Sequence, residues 1–334
     1  MINKKNEINK FWEYKTEPNF NKNIADWTKE IKFLLNKSVR NRMLADVPVG
    51  VFLSGGLDSS IIALLASNKN QKIKTFSIGF DQEEFDETKY SNLISKKINS
   101  EHHNFKIKIK KIDQINSLFL NKIDEPISDS SLISYFSLCK LASSKVKVVL
   151  GGDSADELMG GYDTFKAMRY LNIMKILKID KINPLGLFFL RKLKNQYGNM
   201  NLKFKLERFL RFSGNNLGYA NPQWISPMTS DEITEILNIK TSNEDIYEDA
   251  LELWNQSNLD NIDKSIEYYS KIFLQDQILV KTDRLSMMHG LEVRSPFLDY
   301  DLIDCLRKIP NKYKLNNNIS KYILKKTFEK DFNK

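Results

Sequence analysis

The sequence predicts an α/β protein built on a parallel, doubly wound sheet, with a mostly helical second half. Three observations carry this. Short apolar runs of strand length alternate with segments of helical period as far as about residue 165. Two of those runs end in a glycine pair, as strand-to-helix turns do. Beyond about residue 160, apolar residues keep three- and four-residue spacing and no convincing strand is visible.

Residues 1–22 are polar and irregular. From about residue 23, Ile24, Trp27, Ile31, Leu34, Leu35, Val39 and Met43 recur on one face of a helix, which Pro48 is expected to end. Residues 49–53 read as a buried strand and residues 61–66 as a helix after a glycine turn. Residues 74–78 read as a second strand and 88–98 as a helix. Phe105, Ile107 and Ile109 alternate with Lys106, Lys108 and Lys110, which predicts a half-buried strand with a solvated lysine face. Residues 130–144 read as a helix and 146–150 as a fully buried parallel strand. In the second half, residues 204–212 and 268–279 are helical by period, and Gly186 and Gly198 fall in breaks. The organisation expected is therefore an α/β part over 23–165 and a helical part over 166–334.

Composition narrows the class of protein. A hydrophobic fraction of 41% with 28% charged residues is ordinary for a globular chain and argues against wholesale disorder. Cys139 and Cys305 are too few for a disulfide scaffold or a four-cysteine zinc site, and each sits on an apolar helical pattern as a buried thiol would. His102 and His103, placed just before a strand, and His289 suggest no metal cluster. The N-terminus lacks the apolar core of a signal peptide, and no run of 18 apolar residues exists, so a cytoplasmic location is the default expectation. The net charge of +9 comes from lysines scattered among asparagines, which reads as a solvated surface and not as a nucleic-acid patch.

The chemistry lies in two glycine loops. The first, SGGLDSS, spans residues 54–60 between a buried strand and a helix. Gly55 and Gly56 let backbone N–H groups approach an anion, and Ser59 and Ser60 stand where hydroxyls and free N–H groups face outward. This is a phosphate cradle without the lysine of a Walker A loop. Asp58 would repel phosphate unless a Mg²⁺ stood between them. The second loop, Gly151 to Glu157, also follows a buried strand. In an open parallel sheet both loops then share the C-terminal edge, where Asp58 and Asp156 can serve one Mg²⁺.

SGGLDSS resembles the signature of the PP-loop ATP pyrophosphatases, which split ATP between its α- and β-phosphates and adenylate a substrate. Four stretches taken in order narrow the resemblance: DVPVGVFLSGGLDSS (46–60), DEPISDSS (124–131), GGDSADELMGGY (151–162) and KTDRLSMMHGLEVRSPFLD (281–299). They are similar to the synthetase domain of glutamine-hydrolysing asparagine synthetases, over roughly residues 25 to 330. The resemblance implies an AMP-forming carbon–nitrogen ligase in which the side-chain carboxylate of aspartate attacks ATP and ammonia then displaces AMP. It implies ATP and Mg²⁺ as cofactors. Leu53 and Ile78 would contact adenosine, with Gly151 and Gly152 lining the ATP site. Ser54, Gly56, Asp58 and Ser59 would hold pyrophosphate and Mg²⁺, and Asp156 would be the second magnesium carboxylate. Asp153 would act on the incoming ammonia, and Lys281 would face aspartate or phosphate. Glu292, Arg294 and Asp299 read as mainly structural, with Asp299 able to cap the helix that follows, and His289 as a packed side chain.

The sequence departs from the family pattern in three places. Ile2 stands where the family's glutaminase cysteine follows the initiator methionine, and only about 50 residues precede the first loop, so this chain alone is not expected to hydrolyse glutamine. Ammonia would come free or from a separate glutaminase subunit. The family pattern runs on past a KYILKKTFEK-like helix to a catalytic lysine, whereas this chain ends at Lys334, which reads as truncation; Lys325, Lys326 and Lys330 do not inherit that role. Ser154 stands where glycine is common, and its Cβ is expected to alter the loop. Alternatives are a relative acting on another carboxylate (a surface polysaccharide, a β-lactam precursor or a peptide), a nucleic-acid-acting PP-loop protein, and a nucleotide-binding remnant without activity. No membrane partner is expected, and a homodimer is admitted without being specified.

Overall fold

Five parallel strands form the sheet, in the order β3-β2-β1-β4-β5. These are β1 (Val49–Phe52), β2 (Lys74–Phe80), β3 (Glu101–Ile107), β4 (Val148–Leu150) and β5 (Glu292–Arg294). The computed structural model describes residues 10–67, 72–107, 123–124, 127–177, 202–211 and 216–332. Lys108, Ile109, Lys110, Gly186 and Gly198, each named above, and the last residue of the range 204–212 lie outside the described residues.

Helices cover both faces, as the continuous apolar strands require. Along β1 and the residue after it, Val51 and Leu53 point into one hydrophobic cluster with Trp27, Ile31 and Leu35 of α1 (Ile24–Arg42) and Ile61 and Leu65 of α2 (Leu57–Ser67). Phe52 points the other way, with Phe76, Val149 and Cys139 of α4 (Leu132–Ser143). Helix α3 (Thr88–Lys97) adds Ile94 to the first side. Both cysteines are buried and free.

Helix α1 starts with a capping box: the Asn23 side chain accepts from the N–H groups of Ala25 and Asp26, and Asp26 reaches back to the N–H of Asn23. It ends at Arg42, well before Pro48. The reason is Arg294, whose guanidinium donates to the carbonyls of Arg42 and Leu44, both at 2.8 Å, and so satisfies the helix end.

Two expectations about strands need correction. A strand does exist in the second half: Val149 of β4 pairs in register with Val293 of β5. It is three residues long, lies at the sheet edge and carries two charged residues, so it lacks the apolar alternation that marks a strand. A small hairpin, β6 (Leu315–Asn316) with β7 (Ile319–Ser320), adds a second, antiparallel sheet. His102 and His103 lie within β3, not before it. His102 bonds to Thr75 and Ser77 of β2, and Phe105 is 50% exposed on this edge strand.

The remaining described helices are α5 (Ala155–Met159), α6 (Asp163–Ile176), α7 (Leu202–Arg211), α8 (Ala220–Ile225), α9 (Ser230–Leu237), α10 (Asn243–Ile246), α11 (Glu248–Gln256), α12 (Asn261–Tyr268), α13 (Val280–Met287), α14 (Tyr300–Leu306), α15 (Asn311–Lys314) and α16 (Tyr322–Phe332). Between α12 and α13, Tyr269–Leu279 winds with wider, π-helical turns. Among the described residues, no helix is long and apolar enough to cross a membrane.

One buried polar pair sets a pH dependence. Burial, with Asp260 nearby, pushes the Asp263 carboxyl up to about 7. Lys314 is fully buried beneath it, its Nζ without a hydrogen-bond partner, and burial brings its pKa down to about 8. The folded chain keeps the Asp263 proton at pH values where the unfolded chain has lost it. Stability from this group is thus present at low pH and lost as pH rises to about 7, on the order of 2 kcal/mol between pH 5 and pH 8. Urea midpoints at the two pH values should show this decline in the parent protein, and Asp263→Asn should make it shallower by about that amount.

Candidate active site

Strands β1 and β4 are direct neighbours, with Val51 in register with Leu150. The loops that leave them therefore emerge side by side at the C-terminal edge of the sheet. They also touch: a Cβ on Gly152 would lie 2.9 Å from the backbone nitrogen of Ser59 and 3.2 Å from the carbonyl carbon of Asp58. Only glycine permits that approach.

The two loops form the floor of a cavity of about 430 Å³. Leu53, Ser54, Gly56, Asp58 and Ser59 line it from the first loop, and Gly151, Gly152, Asp153 and Asp156 from the second. Ile78 of β2 and Lys281 of α13 line it too. Two expected residues do not. Gly55, at φ 88°, packs against Tyr90 and Ser91 at the start of α3, and Ser60 is buried behind the loop.

Within the first loop the hydroxyls of Ser54 and Ser59 lie 3.0 Å apart, and the N–H of Gly56 donates to Ser54 Oγ at 3.2 Å. Asp58 follows in the first turn of α2. Burial pushes its carboxyl up to about 6, against the pull of Lys321. Burial also raises the Asp153 carboxyl, with Lys281 opposing, which brings it closer to the range of a useful general base. Glu157, which the sequence reading passed over, lines the same cavity, and burial lifts it to about 7 while it accepts from the Tyr162 hydroxyl. Lys281 Nζ donates to Asp129 Oδ2 at 2.7 Å and to Ser131 Oγ at 2.9 Å. Its charge is engaged at the cavity wall by the DEPISDSS segment.

Lys321 is a second residue that sequence reasoning missed. Its ammonium pairs with Asp58 and, at 2.6 Å, with Asp156. Both loop carboxylates thus converge on one cation. The signal was present in the asparagine run 316–318: Asn317 and Asn318 both have positive φ, as the two-residue turn of a tight hairpin demands. That hairpin delivers Lys321 to the cavity.

The carboxylates suit Mg²⁺. They supply hard oxygen donors, and Asp58 Oδ1 is buried with no hydrogen-bond partner. Among the described residues no group of three His, Cys, Asp or Glu side chains could hold a metal unaided. A magnesium ion here would need the phosphates of a bound substrate to complete its coordination.

A sequence profile described as asparagine synthase matches residues 30–331. The chain belongs to the asparagine synthase family. A putative asparagine synthetase [glutamine-hydrolyzing] of Mycobacterium tuberculosis is 30% identical over 313 residues, covering 90% of this chain and 45% of the relative. Asparagine synthetase [glutamine-hydrolyzing] 1 of Bacillus subtilis is 30% identical over 310 residues, covering 90% and 46%. A shorter match, 38% identical over 165 residues, joins 48% of this chain to 32% of putative asparagine synthetase [glutamine-hydrolyzing] 2 of Methanocaldococcus jannaschii. The chain thus spans about half the length of the first two of these asparagine synthase relatives.

In this asparagine synthase-family chain the later part of the fourth stretch, residues 289–299, supports the fold. Glu292 bonds to Arg294 at 2.6 Å, and Arg294 closes α1. Asp299 precedes α14 but makes no side-chain cap; it pairs with Arg42 at 2.8 Å. His289 packs on the Phe136 ring, with centroids 4.5 Å apart.

Ser154 adopts φ 79°, a conformation glycine takes freely, and its buried hydroxyl has no hydrogen-bond partner. Ser154→Gly is expected to raise stability by about 1 kcal/mol, read as a higher urea midpoint with unchanged slope.

Proposed function

We propose that this chain is an ATP-dependent, AMP-forming amide synthetase that converts the side-chain carboxylate of aspartate into the amide of asparagine. The supporting observation is the convergence of Asp58, Asp156, Asp153 and the Ser54 and Ser59 hydroxyls on one cavity at the β1–β4 edge. ATP would lie with its adenosine against Leu53 and Ile78, lined by Gly151 and Gly152. Its phosphates would rest on Ser54, Gly56 and Ser59, at the N-terminal end of α2. Asp58 and Asp156 would hold magnesium, which when bound neutralises charge on the pyrophosphate.

In the first step a carboxylate oxygen of aspartate attacks the α-phosphorus. The bond from that phosphorus to the bridging oxygen breaks, and pyrophosphate leaves with the electron pair. Holding the carboxylate in line is the main task of the cavity walls. In the second step ammonia attacks the acyl carbon, the bond to AMP breaks, and Asp153 takes the proton shed by nitrogen. Lys281, fixed by Asp129 and Ser131, would present positive charge to the carboxylate or the phosphates.

The test is pyrophosphate release from ATP and Mg²⁺ with ammonia and a panel of carboxylates. Release that depends on aspartate, with asparagine formed, is the expected result. Release with a different carboxylate would reassign the substrate. ATP binding without release for any carboxylate would refute the synthetase reading.

A further inference from the structure

We propose that Lys321 is an internal counter-cation that reserves the two loop carboxylates for metal arriving together with nucleotide, so that the free enzyme excludes divalent cations. The inference rests on the proposed ATP site and concerns the order in which that site is filled. Lys321 is 8% exposed, and its ammonium lies between Asp58 and Asp156. The fit around it is close. A Cβ on Gly161 would fall 2.2 Å from Lys321 Cε and 1.7 Å from Asp156 Oδ1. The backbone also points to a purpose. Lys321 takes φ 51°, a left-handed conformation that side-chain-bearing residues rarely adopt, immediately after β7, the strand that follows the Asn317–Asn318 turn. Its carbonyl accepts from the N–H of Lys325 at 3.0 Å, which ties the strained residue to the first turn of α16.

Charge decides what such a lysine does to a metal. Two adjacent carboxylates, Asp58 mostly buried and Asp156 partly open, repel each other unless a cation joins them, and the ammonium already does so. A free divalent ion would have to displace it. The displaced ammonium would then sit beside a doubly charged ion in a partly desolvated site, with no anion of its own. A triphosphate changes the outcome, because its oxygens give the ammonium another partner while completing the coordination of the metal. Metal and nucleotide therefore enter as one unit. Asp156, whose side chain is 38% exposed, is the open side of the pair.

The experiment follows Mn²⁺ binding by electron paramagnetic resonance. It uses the intact chain, with and without the non-cleavable α,β-methylene analogue of ATP. Nucleotide binding is read separately by calorimetry. The parent protein should bind Mn²⁺ at least about tenfold more tightly when the analogue is present. Lys321→Met should bind Mn²⁺ alone at least about tenfold more tightly than the parent does, and Asp58→Asn in that background should remove the gain. Equal Mn²⁺ affinity with and without the analogue, in a parent protein that binds the analogue, overturns the proposal and leaves the ATP site standing. So does a folded Lys321→Met that gains nothing. Failure of the parent to bind the analogue at all removes the ATP site and this proposal with it.

Discussion

Asp58→Ala should lower carboxylate-dependent pyrophosphate release about 10³-fold, equivalent to some 4 kcal/mol of barrier. Asp58 stands in the first turn of α2, with one carboxylate oxygen on Lys321 and the other buried and without a hydrogen-bond partner. In the proposed reaction this carboxylate holds the metal that offsets charge on the leaving pyrophosphate. Burial has already pushed Asp58 up to about 6, so its carboxyl is a strained component of the native state. Asp156 still pairs with Lys321 after the substitution. The thermal midpoint should therefore move by no more than about 3 °C. Release within tenfold of the parent would show that the first loop does not carry the metal.

Gly152→Ala tests the contact between the loops. The added methyl would meet the Ser59 nitrogen at 2.9 Å and the Asp58 carbonyl carbon at 3.2 Å. Both are backbone atoms and cannot swing aside. The loops must separate, and a displacement of about 1 Å between groups that act together costs about 10²-fold in rate. We expect that loss in kcat/KM for pyrophosphate release, with about 1–3 kcal/mol of stability lost to overpacking. Gly56→Ala is the comparison. Its methyl would meet only the Ser54 hydroxyl at 3.3 Å among protein atoms, and that side chain can rotate, so its stability penalty should be smaller. Equal stability penalties for the two would mean that the loops are not packed against each other as tightly as Gly152 indicates.

What the sequence revealed follows the strength of local signals. Runs 49–53 and 146–150 are short, apolar apart from Lys147, and followed by glycine pairs, so both strands and the edge they share are legible in the sequence. Helix α1 was legible from its spacing, but its end was not, because Arg294, some 250 residues away, closes it. The strand at Glu292–Arg294 was invisible for a related reason: it exists through pairing with β4, not through its own pattern. Gly55 resembles a cradle residue in sequence and is a packing residue in space, since its neighbours Tyr90 and Ser91 lie on another helix. Lys321 is one lysine among many in a lysine-rich chain. Only the hairpin before it, with two asparagines at positive φ, separates it from the lysines on the surface of α16.

The strand order has a consequence for how the molecule is made. β1 pairs early with β2, but its other neighbour, β4, is about 100 residues further along, and closing a loop of that size is entropically slow. At translation rates of roughly 5–20 residues per second, a growing chain carries an apolar strand with one open edge for some seconds. A nascent chain stalled between residues 110 and 145 would present that edge to chaperones or to another copy of itself. β5 and the Lys321 hairpin emerge later still, so the cavity is completed only once the chain has been made past residue 321, and a molecule that binds there would select for chains folded through that hairpin.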